Sequence, residues 1–186
     1  EFAIGLGVAF HRFRQSPVGA KFNRFVFVEF PVGLHIASRG ARIATIHAKS
    51  NGLIFVQGNL DLISSNGPLS LGSVTVGGDL GVTTNGGAIT QTGPLDVTGT
   101  TGLNAGGGDI TLSNPGNLFG GAVTLTGGDV IIATSAEVTL GDVTATGGLK
   151  FKSNYPIKKT PGAAFTVTGP VQLGNGDGIN NPGLTF

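Results

Sequence analysis

A long internal repeat limits the possible folds of this 186-residue sequence more than any other feature. The phrases SNGLIF, SNPGNLF and NNPGLTF are three versions of one motif, and they end at nearly equal intervals, at Phe55, Phe119 and Phe186. Between them LSLGSVTVGGDL, which starts at Leu69, matches VTLGDVTATGGL, which starts at Val138. Such self-similarity indicates stacked equivalent units. The sequence therefore predicts repeat units at about 50–112 and 113–179, with a third beginning at 180.

Each unit contains a shorter repeat of about seven residues, in which Val or Ile alternates with Thr. Examples are SVTV at 73–76, DITL at 109–112 and EVTL at 137–140. Alternation with a period of two is typical of a β-strand that buries one face, and both Val and Thr are β-branched. Many of the 34 glycines lie between these strand cores, where they favour turns. The pattern predicts an all-β fold.

The repeat distinguishes between the two architectures that short strands and glycine turns allow. An antiparallel sandwich has no reason to repeat at such a long interval, whereas a solenoid stacks similar coils by construction. Three of the seven-residue repeats make a coil of about 21–23 residues, and three coils make one unit. We therefore predict a parallel β-helix, or β-solenoid, with about three short strands per coil. Val, Leu and Ile are expected inside and Thr outside. Asn85, Asn114 and Asn117 are expected at turns, where they either bond neighbouring backbone or stack coil on coil.

The stretch at 86–149, which contains AITQTG, LFGGAVTLTG and VTLGDVTATG, resembles the repeat region of large bacterial exoproteins of the filamentous haemagglutinin type. These proteins are exported by two-partner secretion. The resemblance is good over about 55–150, weaker over 165–186 and absent over 1–49. It implies a right-handed parallel β-helix, a secreted or cell-surface location, and a role in adhesion or display. It transfers no binding residues, because the repeats of that family are scaffold.

Residues 1–49 depart from the repeat in composition. Positions 1–50 hold seven of the eleven basic residues and two of the ten acidic ones, so they carry +5 while 51–186 carry −4. Three interpretations stay open: a cap or degenerate coil at the end of the solenoid, sequence foreign to the repeat protein, or a functional basic element. Cations spread so thinly along this segment are too sparse to predict a nucleic-acid partner.

The residues that carry chemistry in other proteins do not form a recognisable site in this sequence. Most of the aspartates stand beside glycine at the starts of strand cores, where turn formation explains them. The three histidines, His11, His35 and His47, lack metal-ligand spacing, and there is no cysteine. We therefore predict no catalytic residue, no cofactor and no metal ion, and a β-helical polysaccharide-active enzyme is the third-ranked function.

A second-ranked function is ligand binding through ladders of outward-facing threonine. Several strand cores place two threonines two positions apart, so that both point to one face of a strand. Stacked in a flat array, such pairs would form a surface suited to ice or a glycan. The candidate contact residues are Thr90, Thr92, Thr98, Thr100, Thr124, Thr126, Thr144 and Thr146.

The first-ranked function is a structural and adhesive shaft segment of a secreted bacterial surface protein. The candidate partners are a host-surface glycan or protein, or further copies that associate end to end. The sequence has no apolar stretch as long as the roughly 18 residues that a membrane span requires, so it predicts no such span.

Overall fold

The computed structural model describes residues 34–35, 54–64 and 67–174, and these form short strands without a helix. Apart from Leu34–His35, the segment 1–49 lies outside the described residues, as does the third repeat unit predicted at 180. No helix long and apolar enough to cross a membrane occurs in the described part of the chain. The strands are β1 (Leu34–His35), β2 (Ile54–Val56), β3 (Leu60–Ser64), β4 (Leu69–Leu71), β5 (Val74–Val76), β6 (Leu80–Thr84), β7 (Ile89–Gln91), β8 (Leu95–Val97), β9 (Thr101–Asn104), β10 (Ile110–Leu112), β11 (Leu118–Phe119), β12 (Ala122–Gly127), β13 (Val130–Thr134), β14 (Val138–Ala145), β15 (Leu149–Ser153), β16 (Ile157–Lys159), β17 (Phe165–Val167) and β18 (Val171–Leu173).

The strands form three parallel sheets along the axis of a solenoid of about six coils. The five-stranded sheet has the order β1-β2-β5-β8-β11, the six-stranded sheet β18-β15-β13-β10-β7-β4, and the seven-stranded sheet β16-β14-β12-β9-β6-β3, with β17 also pairing β14. We number the coils by their strands: coil 1 is β2–β4, coil 2 β5–β7, coil 3 β8–β10, coil 4 β11–β13, coil 5 β14–β15 and coil 6 β16–β18. The predicted all-β parallel solenoid is confirmed, and its right-handed sense stays a prediction.

The coils are slightly shorter than the sequence predicts, at about 20 residues per turn. In the seven-stranded sheet Leu60 pairs with Leu80, and Leu80 pairs in turn with Thr101. Val123 continues the same column from Thr101. The interval between these partners grows by one residue at each step, so the coil length varies slightly and the turns between strands absorb the difference.

The core consists of aliphatic columns in which each strand places its inward side chain on that of the preceding coil. In the six-stranded sheet Ile89, Ile110, Val130 and Leu149 are register partners, and each is 0% exposed. Full burial of one such side chain contributes roughly 2 kcal/mol. The predicted pattern of aliphatic residues inside and threonine outside holds at β10, where Thr111 lies between the buried Ile110 and Leu112, faces outward and is half-buried. It fails at Thr84, Thr101 and Thr134, which are buried.

A column of glycines forms the corner that precedes the seven-stranded sheet. The N–H of Gly99 donates to the carbonyl of Gly78 at 2.9 Å, and the N–H of Gly121 donates to that of Gly99 at 2.9 Å. A Cβ atom on Gly121 would lie 2.6 Å from the carbonyl oxygen of Gly99, closer than real Cβ contacts. The corner therefore requires glycine because coils approach too closely there for any side chain, although the backbone is not left-handed.

A buried polar cluster fills the corner between the six-stranded and five-stranded sheets. Asn117 is 0% exposed. Its Oδ1 accepts from the backbone N–H of Leu95 and from Nε2 of Gln91, both at 2.9 Å. Its Nδ2 donates to the carbonyls of Leu112 at 3.2 Å and Ala133 at 3.0 Å. The prediction that Asn117 bonds neighbouring backbone is confirmed, and one side chain thereby joins coils 2, 3 and 4.

Coil 5 departs from the three-strand pattern. The eight-residue strand β14 pairs with β16 through its first residues and with β17 through its last, so one strand stands where earlier coils have two. The register with β12 shifts between Val123 and Leu125 to accommodate this. The five-stranded sheet consequently ends at β11.

Candidate functional site

The eight threonines singled out in the sequence lie on three sides of the solenoid rather than on one. Thr90 is on β7 of the six-stranded sheet and Thr92 follows it, whereas Thr98 follows β8 of the five-stranded sheet. Thr100 stands in the turn before β9. On the seven-stranded sheet lie Thr124 and Thr126 in β12 and Thr144 in β14, with Thr146 just after its end.

Two of the eight, Thr126 and Thr144, are direct register partners, and they belong to a longer polar column on the seven-stranded sheet. The column continues to Asn104 and Thr83 on one side and to Thr166 on the other. All five side chains face outward, and neighbouring coils repeat at about 4.8 Å. We call Thr83, Asn104, Thr126, Thr144 and Thr166 the polar column.

Three members of the polar column, Thr83, Asn104 and Thr166, were not among the predicted contact residues. Paired Val-Thr motifs were the signal used, and this signal misses Asn104 altogether. Successive members of the column are unevenly spaced along the sequence, and the step from Thr126 to Thr144 is the shortest. Only the strand register therefore identifies them as neighbours.

Several predicted threonine hydroxyls bond within the chain. Thr100 Oγ1 donates to Oδ1 of Asp79 at 2.9 Å. The hydroxyls of Thr92 and Thr146 reach carbonyls of the preceding coil at 3.4 Å. Within the described residues no such bond occurs for the hydroxyls of Thr126 and Thr144. These two are therefore better suited to an external ligand.

Most of the aspartates bind the next coil rather than form a cluster. Oδ1 of Asp79 accepts from the backbone N–H of Thr100 at 2.8 Å, and Oδ1 of Asn59 accepts from the N–H of Asp79 at 2.9 Å. The same bond joins successive coils at Asp109, Asp129 and Asp142. The other two aspartates of the described residues, Asp61 and Asp96, occupy outward positions on β3 and β8. Aspartate at strand starts thus supplies a coil-to-coil hydrogen bond.

The hydrogen bond from the backbone of Thr100, together with that from its hydroxyl, lowers the pKa of Asp79 below its ordinary value of 3.8. Replacing Asp79 by alanine should lower the free energy of unfolding by about 1 kcal/mol, because the N–H of Thr100 loses its acceptor. Asp79→Asn, which keeps an acceptor oxygen, should cost less. Because the folded pKa is the lower one, the extra stability of the carboxylate is present above pH 3.8 and is lost as the pH falls through the folded value.

Urea unfolding of both Asp79 variants at pH 6 and at about pH 2 checks this expectation. The gap between wild type and Asp79→Asn should close at the lower pH. A gap of unchanged size there would contradict the assignment of the effect to the carboxylate.

The described residues contain no group of three or more His, Cys, Asp or Glu able to hold a metal ion. His11 and His47 lie outside the described part of the chain, and the side chain of His35 is not described. The described residues form a scaffold with polar outward faces, of which the polar column is the most regular.

A family of repeats of unknown function, DUF5649, matches the chain at residues 57–126 and 127–182. The two matches together span well over half of the chain. No curated protein and no solved structure matches the chain. Both matched stretches lie within the repeat-bearing part of the sequence and include nearly all the strands of the solenoid. The chain therefore belongs to the DUF5649 family of repeats of unknown function, and its two repeats stack into one β-solenoid.

Proposed function

We propose that this solenoid is a rigid shaft segment of a secreted bacterial surface protein, and that it makes weak adhesive contacts along its length. The observation that carries the proposal is the continuity of the stack. Backbone bonds link each described coil to the next, in all three sheets as far as coil 4 and in two of them from there to coil 6, and side chains such as Asn117 and Asp79 add further links. A rod bonded in this way resists bending and extends by about 4.8 Å per coil.

The adhesive part of the proposal is supported by the polar column. A row of hydroxyl and amide groups at a constant spacing offers many individually weak hydrogen bonds to an extended partner. Repeated weak contacts add through high effective concentration, so a long shaft gains avidity without a deep pocket. A host-surface glycan, whose hydroxyls repeat along its chain, fits such a row. The resemblance to filamentous haemagglutinin-type exoproteins favours the same location and role.

Insertion of a whole coil tests the shaft function directly. A second copy of residues 80–100, placed between Thr100 and Thr101, adds one full register interval, the one that separates Leu80 from its partner Thr101. We expect the longer chain to fold with unchanged or higher stability, and its longest dimension in small-angle X-ray scattering to grow by about 5 Å. Beads coated with it should attach to epithelial cells at least as well as beads coated with wild type.

The matched control inserts only residues 80–90, half of a coil, at the same point. That insertion moves the following strands onto the wrong sheets, so we expect it to lower stability strongly. If the half-coil insertion leaves stability as high as the full-coil insertion does, the proposal that the stacked rod is the functional unit is overturned. Failure of all coated beads to attach to cells or to immobilised neutral polysaccharide would overturn the adhesive part.

A further inference from the structure

The charge of the solenoid changes sign along its axis. From position 50 to position 142 the sequence has seven acidic residues and no Lys or Arg. From position 143 to position 174 it has four lysines and no acidic residue. These lysines lie on β15 of coil 5 and β16 of coil 6, and they are Lys150, Lys152, Lys158 and Lys159. A basic patch thus begins in coil 5, on a rod whose preceding coils are acidic.

The turn at 154–156 forms a corner of the solenoid, because it joins β15 of the six-stranded sheet to β16 of the seven-stranded sheet. All three of its residues are exposed, and Tyr155 is 53% exposed. Lys152, on one side of the turn, and Lys158, on the other, are also exposed. A tyrosine therefore lies at the crest of a convex ridge with a lysine on each slope. We call Lys152, Tyr155 and Lys158 the basic corner.

Hydrogen bonds and burial hold the backbone of the basic corner in place. Oγ of Ser153 accepts from the N–H of Tyr155 at 3.0 Å and donates to the carbonyl of Ala136, one coil earlier, at 3.2 Å. On the other side of the turn Ile157 is 0% exposed and anchors β16 in the core. Within the part of the chain that the structure describes, the hydroxyl of Tyr155 makes no hydrogen bond. The tyrosine is therefore presented outward from a fixed backbone.

The two lysines of the basic corner are accessible to an anionic partner. Lys152 has no ion pair among the described residues. Lys158 forms one with Glu137 at 2.7 Å, and the two side chains are 57% and 48% exposed. Such an exposed pair is weak, so the ammonium group of Lys158 exchanges readily between Glu137 and another anion. Glu137 is consequently the acidic group that competes with a partner at this corner.

We propose that the basic corner binds the surface of a membrane that contains anionic lipids. A tyrosine ring suits the membrane–water interface, because its body is apolar and its hydroxyl is polar. The long lysine side chains on the two slopes reach phosphates on both sides of the ring. Each lysine near an anionic surface strengthens binding about fivefold. A convex ridge fits a flat surface, whereas a soluble polyanion is typically bound in a positively charged groove.

The acidic coils determine how the rod lies on such a surface. Coils 1 to 4 carry aspartates and, among the described residues, no lysine or arginine, so anionic lipids repel them. The repulsion reaches about 10 Å at ordinary salt, which is the height of about two coils. Contact is therefore restricted to coils 5 and 6, and the earlier coils project away from the membrane. The proposed shaft function does not depend on this contact.

The fluorescence of Tyr155 tests the contact, because the chain has one tyrosine and no tryptophan. The full chain is mixed in about 20 mM salt with phosphatidylcholine vesicles that contain about 30% phosphatidylglycerol and a trace of lipid with a nitroxide headgroup. We expect the nitroxide to quench the tyrosine about twofold or more, and about 0.5 M salt or omission of phosphatidylglycerol to abolish the quenching. Absence of binding at low salt, or co-sedimentation with the vesicles without quenching, would overturn the proposal.

Charge variants measured by co-sedimentation with the same vesicles test the assignment to this corner. Lys152→Gln/Lys158→Gln should weaken binding about tenfold or more, and Glu137→Gln, which frees Lys158, should strengthen it about fivefold. The control Gln57→Glu/Thr98→Glu makes the same change in net charge at exposed positions of coils 1 and 3, and should alter binding less than about twofold. Equal weakening by both double variants would refute the assignment. Binding to soluble polyuronate but not to vesicles would assign the corner to an acidic polysaccharide and overturn the membrane proposal.

Discussion

Gly121→Ala is expected to lower the free energy of unfolding by about 3 kcal/mol, because the added methyl group clashes with the backbone of the preceding coil. Its Cβ would lie 2.6 Å and 2.7 Å from the carbonyl oxygen and carbon of Gly99 and 2.8 Å from the backbone nitrogen of Thr100. All three are backbone atoms of the preceding coil, so no side chain can rotate away. The coils would have to separate, and that would lengthen the bond from Gly121 to Gly99.

Gly102→Ala is the matched control. Gly102 lies on the outward side of β9, its backbone is not left-handed, and a Cβ there would meet no atom within 4 Å. This substitution should leave stability unchanged or raise it by about 0.5 kcal/mol, since alanine restricts the unfolded chain. Urea unfolding followed by circular dichroism measures both. Equal effects at positions 121 and 102 would show that close coil approach does not explain the glycine corner.

Asn117→Ala should lower the free energy of unfolding by about 4 kcal/mol, because several buried backbone groups lose their partner at once. In the preceding coils the first N–H of the equivalent strand bonds to a backbone carbonyl of the next coil, as Val74 does to Pro94 at 3.0 Å. At Leu95 the acceptor is instead the side chain of Asn117. Removing it leaves a buried N–H without an acceptor and takes a donor from the carbonyls of Leu112 and Ala133.

The same substitution at Asn104 controls for the loss of an amide. Asn104 is exposed, and its Oδ1 accepts a single bond, from the N–H of Gly106 at 2.9 Å. We expect Asn104→Ala to cost below about 1 kcal/mol, because water replaces the lost acceptor. Thermal unfolding should place the two variants far apart in Tm. A small effect at both positions would contradict the role assigned to the buried corner.

The distribution of charged residues illustrates which features the sequence alone predicts. The excess of cations at the start of the chain was visible by counting, and so were the acidic residues beside glycine. The stacking of Asp129 on Asp109 in the next coil was not, because it depends on which strands pair. Similarly, the strand register places Thr126 beside Thr144, whereas Thr98 lies next to a strand of another sheet.

The sequence by itself determined the class of fold, because a repeat of nearly fixed length and an alternation of Val with Thr are properties of the chain that stacking turns directly into coils and faces. The inward positions of Ile89 and Ile110 follow from that alternation alone. Tertiary structure decided what depends on contact between coils: the varying coil length, the merger of two strands in β14, and the placement of Asn117 as the acceptor for Leu95. These features arise from the fit of one coil on the next, which local pattern does not encode.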